Sequence, residues 1–165
     1  MSESGGTTTQ SGIYYQNSVS ALFLGRLVDP ARSNNQTIDR VRVEAPEAVD
    51  DIVVTYSNGD NEYIQAKESL SLSSVPWKKL WFSFKDQAAQ CMKNGKSYSL
   101  TLAISNTSVA IQSLKELCER AKGKDDPDEW WESLNTKHQD IVKNIGNCIK
   151  AESNTLTFTL LKAVE

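Results

Sequence analysis

The stretch "VEAPEAVDDIVVTYSNGDNEYIQAKESL", Val43 to Leu70, decides how this chain folds and what chemistry it can carry. Two apolar runs, "DDIVVTY" and "EYIQAKES", flank the polar turn "SNGDN", the pattern of a β-hairpin. In a strand alternate side chains share a face, so Asp51, Val53 and Thr55 group together, as do Tyr63, Gln65 and Lys67. Whether the two groups meet depends on the turn. A two-residue Asn58-Gly59 loop pairs Asp51 with Ala66 and sends the polar groups to opposite faces. A three-residue or five-residue loop sets Asp51 opposite Lys67, with Gln65 diagonal to it. Asn-Gly favours the short loop, and "SNGDN" can supply either longer one.

Working outward, "IYYQNSVSALFLGRLV" from Ile13 to about Val28 has Val19, Leu22, Phe23 and Leu27 at helical spacing. The polar "MSESGGTTTQS" before it, residues 1–11, reads as a mobile leader, and "DPARSNNQ" after it as a break. "IDRVRVEA" supplies a strand before the hairpin. Beyond the hairpin, "PWKKLWFSFKDQAAQCM" predicts a helix opened by Ser74 and Pro76, and "YSLTLAIS" a strand. "SVAIQSLKELCERAK" predicts a helix with Val109, Leu114, Leu117 and Cys118 as its stripe. A further helix runs from Pro127 through "DEWWESLNTKHQDIVKNIGNCI", and "NTLTFTLLKAV" alternates Leu156, Phe158 and Leu160 as a final strand. The order α, three β, α, β, α, α, β describes one α/β domain over residues 12–165, a mixed sheet flanked by helices on both sides.

Composition narrows the function classes. The 165 residues include 39% hydrophobic and 24% charged ones with four Trp, a globular make-up that can bury its own core. A formal charge of −3 argues against coating nucleic acid by bulk electrostatics. Cys91, Cys118 and Cys148 are isolated, which fits neither a disulfide framework nor a zinc site and suggests reduced thiols in a soluble, cytoplasmic protein. Neither a signal peptide nor a bilayer-spanning run is recognisable, so no membrane partner is expected.

If the hairpin loop is odd, a carboxylate, an amide oxygen and an ammonium gather within about 5–8 Å at the strand ends. Hard oxygen donors of this kind suit Mg2+. A second negative charge can come from Glu44, with Glu47 and Asp50 as substitutes. Lys67 would then stabilise charge developing on a phosphate or orient a water, the demands of phosphodiester hydrolysis.

With Gln16 in "GIYYQ", Glu44 in "VRVEAPEAVDD", Asp51 before "IVV", and Gln65 with Lys67 in "IQAK", the chain resembles the PD-(D/E)xK nuclease superfamily. Within it, the pattern is most similar to the double-stranded DNA endonuclease effector domains at the N-terminus of bacterial antiphage proteins, among them STAND-NTPase and nucleotide-signalling systems. The resemblance implies a restriction-endonuclease-like fold in which Asp51, Gln65 and Glu44 bind Mg2+ or Mn2+ and Lys67 is catalytic. Gln16 and Glu44 would support them from the first helix and first strand. It also implies double-stranded DNA as substrate, and activation by self-association or by further domains of a longer protein. Gln65 departs from the superfamily's acidic residue.

Each feature has a plainer reading. The alternative makes Asp51 and Glu44 solvated strand-end charges and Lys67 an edge-strand gatekeeper, with Gln16 a solvated helix residue and His138 a surface one. Trp77 and Trp81 fall on the core side of their helix, leaving Lys78, Lys79 and Lys85 outside to touch phosphates. In "EWWES" one Trp belongs to the core and the other to an interface. A catalytically silent module binding nucleic acid or protein, and RNA in place of DNA, are the competing functions.

Overall fold

The computed structural model describes the backbone of residues 4–29, 31 and 36–165, with side chains from residue 10 onward where they are described. Helix α1 (Ser4–Val28) leads into a meander of β1 (Ile38–Val43), β2 (Ile52–Tyr56) and β3 (Asn61–Lys67). Helix α2 (Val75–Lys93) then connects β3 to β4 (Tyr98–Ile104), and α3 (Val109–Lys122), α4 (Pro127–Glu132), α5 (Thr136–Ile149) and α6 (Asn154–Lys162) complete the chain. The four strands form one sheet in the order β1-β2-β3-β4. β1, β2 and β3 are antiparallel neighbours, and β4 lies parallel to β3 with Lys67 beside Ile104.

Strand alternation sorts the core into two layers. Ile38, Ile52, Val54 and Ile64 face α1 and pack on Phe23, with Val19 and Leu27 beside it. Val53, Tyr63 and Leu100 face the other way, into a larger core built from α2 to α6 around Trp77, Trp81 and Phe84. Those three rings pack edge to face, at 5.5 and 5.9 Å between centroids, an arrangement their quadrupoles favour. Helices thus cover both faces of a mixed sheet, the α/β architecture the sequence predicts.

Helix caps account for several boundaries. Ser74 accepts the Trp77 N–H at 3.2 Å and opens α2, and Ser108 accepts the Ile111 N–H at 3.3 Å and opens α3. Trp130 is fully buried, the core tryptophan expected of "EWWES", while Trp131 is half-buried.

Four expectations need correction. Helix α1 already runs from Ser4, so only Met1 to Glu3 of the expected leader lie outside the described residues. The single helix expected from Pro127 is two, because Asn135 accepts the His138 N–H at 2.9 Å and starts α5 afresh. The expected final strand is helix α6. Its buried Thr157, Phe158, Leu160 and Leu161 sit at helical spacing, which takes in Phe158 and Leu160 of the period-two pattern and leaves Leu156 exposed. Pairing survives only in the bridge of Val164 to Leu100. Val109 lies outside the α3 stripe, with Ile111 and Ala121 buried in its place.

Among the described residues no helix is long and apolar enough to cross a membrane. The three cysteines are unbridged, two of them buried.

Candidate active site

The β2–β3 register settles the turn. Ile52 pairs with Ile64 and Thr55 with Asn61, and Tyr56 donates its N–H to the Asp60 carbonyl, leaving Ser57, Asn58 and Gly59 as a loop of odd length. Gly59 takes φ +91°, a left-handed conformation open to glycine at little cost. One further step of this register sets Asp51 opposite Gln65, with Lys67 diagonal. The parity expected of an odd loop holds, but the three-residue loop exchanges the positions predicted for Gln65 and Lys67.

The three side chains converge on one oxygen. Asp51 Oδ2 accepts the Gln65 Nε2–H, the Ala66 backbone N–H at 2.8 Å and the Lys67 ammonium at 3.3 Å. The second of these has a simple origin. The β2–β3 ladder ends at Ile52, so the Ala66 N–H has no strand partner there, and the Asp51 carboxylate takes its place. Asp51 Oδ1 accepts no hydrogen bond among the described residues, and neither does Gln65 Oε1, although Gln65 is only 6% exposed. Lys67 and Asp51 keep part of their side chains in contact with solvent, at 32% and 15%.

The cluster sits where β3 and β4, the parallel pair, both end. The loops to α2 and α3 leave from there, joined by hydrogen bonds from Ser105 N to Lys67 O and from Asn106 N to Glu68 O. The carboxyl ends of parallel strands are the usual place for a ligand in an open α/β sheet.

Neighbouring elements fix the cluster. From α1, Gln16 Nε2 reaches the Asp51 carbonyl at 3.5 Å, a long contact to the backbone rather than to the carboxylate. Ser11 donates to the Glu68 carboxylate, tying the same helix to the end of β3. The segment from Glu44 to Asp51 is a loop closed by Glu44 N to Asp51 O and Ala45 N to Asp50 O, both 2.9 Å. Glu44 is therefore Asp51's backbone neighbour. It takes φ +50° and is exposed, with no side-chain partner among the described residues. Glu47 is engaged with Arg42 at 2.9 Å, and Asp50 is exposed.

A residue the sequence did not mark holds that loop. Gln87, 1% exposed on α2, accepts the Ala48 and Val49 N–H groups at 3.1 and 3.3 Å and donates to Cys91 Sγ at 3.5 Å. Burial and then a hydrogen bond with Cys91 push the Tyr63 phenol above its ordinary range. A buried polar chain thus joins the loop before Asp51 to the strand that carries Gln65. Its signal was available: Gln87 falls between Phe84 and Cys91 on an otherwise apolar helix side.

The basic residues divide. Lys78 and Lys79 are exposed on the first turns of α2, which starts from the site's end of the sheet. Lys85 is not part of an open phosphate-binding face, because its ammonium donates to the Ile149 carbonyl at 2.7 Å and closes the end of α5. His138 is buried rather than on the surface, 3% exposed, with Nε2 3.3 Å from the Glu116 carboxylate. The α5 cap at Asn135 turns it inward.

Asp51 and Gln65 offer two hard oxygen donors, a set that fits Mg2+ completed by waters and substrate oxygens. Among the described residues no group of three His, Cys, Asp or Glu side chains gathers. Glu44 is thus a backbone neighbour of Asp51 and not a clustered third donor. Compared with family models, curated proteins and solved structures, the chain matches none of them.

Proposed function

We propose that this protein is a divalent-metal-dependent DNA endonuclease of PD-(D/E)xK type, with a restriction-endonuclease-like fold and an effector role in antiphage defence. The convergence of Asp51, Gln65 and Lys67 at the carboxyl ends of the parallel strands carries the proposal. Asp51 and Gln65 would hold Mg2+, or Mn2+ in its place. When bound, the metal supplies Lewis-acid stabilisation of a phosphate oxygen and a more acidic water. Lys67 sets a positive charge beside the scissile phosphate and holds a water or a leaving oxygen by hydrogen bonding. The Ala66 N–H fixes the carboxylate plane, so Asp51 reaches the ligand already oriented. Lys78 and Lys79 would bind the duplex backbone in a way that ignores sequence and weakens with salt.

A net charge of −3 keeps a single copy's affinity for DNA low. Several sites held on one duplex would bind with an avidity far above that of a single site, which suits an effector that acts only when assembled.

One observation favours the catalytically silent alternative. Asp51 Oδ2 already satisfies Ala66, Gln65 and Lys67, as a purely structural strand-end carboxylate would. Incubation with supercoiled plasmid, linear duplex and RNA, in Mg2+ and in chelator, separates the two. Metal-dependent nicking or linearisation of DNA is expected. Intact DNA at high protein concentration, together with no calorimetric Mg2+ or Mn2+ binding, would leave the silent module as the answer.

A further inference from the structure

Helix α1 is apolar on two sides. Val19, Phe23 and Leu27 pack on the sheet. At 100° per residue, Ile13, Leu24, Val28, Ala21 and Tyr14 form a second stripe about 100° wide on the outer side, with Asn17 its sole polar member from Ile13 to Val28 and Gln10 a turn before it. All of them are exposed, Ile13 at 52%, Tyr14 at 68%, Leu24 at 44% and Val28 at 84%. The flanking Ser18 spends its hydroxyl on the Tyr14 carbonyl at 2.8 Å. A helix apolar on both sides is ordinarily covered on both.

We propose that this outer face is a self-association surface, on which a second copy of the chain docks through an antiparallel, two-fold α1–α1 contact centred on Ala21. A two-fold interface must be complementary to itself. The stripe is, because a two-fold axis through Ala21 sets larger side chains of one copy against smaller ones of the other, Leu24 over Ser18 and Asn17 beside Gly25. Tyr14 of one copy falls beside Val28 of the other, and the small Ser18, Ala21 and Gly25 occupy the middle, where two helices come closest. A Cβ added at Gly25 would meet nothing within 4 Å in a single copy, so that position faces open space and not the sheet.

The area suffices. Taking on the order of 150–250 Å2 for a whole large side chain, the exposed fractions give roughly 500 Å2 per copy. The pair then buries about 1,000 Å2, the lower bound for a specific interface. No charged residue lies in the stripe, so nothing opposes pairing with itself. A lipid surface fits less well. Arg26 is the only basic residue of α1 and belongs to another side, whereas interfacial helices carry a Lys/Arg-rich polar face.

The contact is independent of the nuclease reading and needs no substrate to test. Sedimentation of the 165-residue protein from low micromolar to several hundred micromolar is expected to show a reversible monomer–dimer equilibrium. Ala21→Glu and Ala21→Lys each set like charges against one another at the two-fold axis. Each should weaken the dimer about a hundredfold with unchanged circular dichroism. An equimolar mixture of the two variants should recover it, since opposite charges then meet at the axis. Gly25→Leu, which a lone copy accommodates, should weaken the dimer by bulk alone. A protein that stays monomeric throughout, a dimer as tight in Ala21→Glu as in the parent, or a mixture that fails to re-associate would each overturn the proposal.

Discussion

Asp51 Oδ2 accepts the backbone N–H of Ala66 at 2.8 Å, one residue beyond the last paired residue of β2. A carboxylate therefore ends the strand ladder while its other oxygen has no hydrogen-bond donor among the described residues, so stability and chemistry share one side chain and can be pulled apart. Asp51→Asn keeps an oxygen for Ala66 and should cost about 1 kcal/mol or less in urea denaturation, whereas Asp51→Ala strands that N–H and should cost about 1–3 kcal/mol. Both should lower DNA cleavage by at least about a hundredfold, because both remove a metal-binding charge. Cleavage retained by the Asn variant would remove Asp51 from the metal site.

Lys67 sits 3.3 Å from that carboxylate and is 32% exposed, so its removal disturbs little packing. Lys67→Ala should fold and bind duplex normally while cleaving about 10²–10⁴ times more slowly, the range typical of a lost positioned proton-transfer or charge-stabilising group. Lys67→Arg should recover little, because a planar guanidinium does not substitute for a compact ammonium. Single-turnover cleavage under saturating protein separates this loss from weakened binding. Equal rates for Lys67→Ala and the parent would refute its assignment.

Cys118 is buried on the core side of α3, and burial is the main reason its thiol is pushed up to about 12 from an ordinary value of 9.0. The unfolded chain ionises this thiol first, so stability is intact below pH about 9 and falls as the pH rises towards 12. The loss is on the order of a few kcal/mol when complete. Urea midpoints measured across that range should decline in the parent and decline less steeply in Cys118→Ala. In the native state the same thiol should resist alkylation near neutral pH.

Long periodic elements were legible in the sequence, and weakly specified boundaries were not. The stripe of Trp77, Leu80, Trp81, Phe84 and Ala88 with Ser74 before it names α2 without ambiguity. "NTLTFTLLK" contains both periods, and only burial of Thr157 together with Leu161 against the neighbouring helices selects the helical one. At the site, strand alternation grouped Asp51 with its partners once the loop length was known, but the choice between loops lies in the Gly59 backbone and in long-range pairing. Lys85 and His138 illustrate the opposite case. Their roles depend on the Ile149 carbonyl and on Glu116, distant in sequence and invisible to local pattern.

Gln87 provides the sharpest test of how the loop before Asp51 is held. Its carboxamide oxygen is the acceptor for two buried N–H groups, those of Ala48 and Val49. Gln87→Leu matches the apolar neighbours but strands both, at on the order of 1–3 kcal/mol for each buried group left unsatisfied, so a loss of about 2–6 kcal/mol is expected. Gln87→Glu discriminates acceptor loss from simple misfit. A protonated carboxyl reproduces one acceptor and one donor, while its ionised form is disfavoured at a site only 1% exposed. Burial raises the folded pKa above the unfolded one, so the Glu variant should approach the parent below the carboxyl's ordinary range and lose stability as the pH rises through the raised value. Hydrogen exchange at amides 48 and 49 should quicken in the Leu variant more than exchange at the centre of β2. Equal protection of those amides in the parent and Gln87→Leu would show that the loop is held by its own Ala45–Asp50 closure instead.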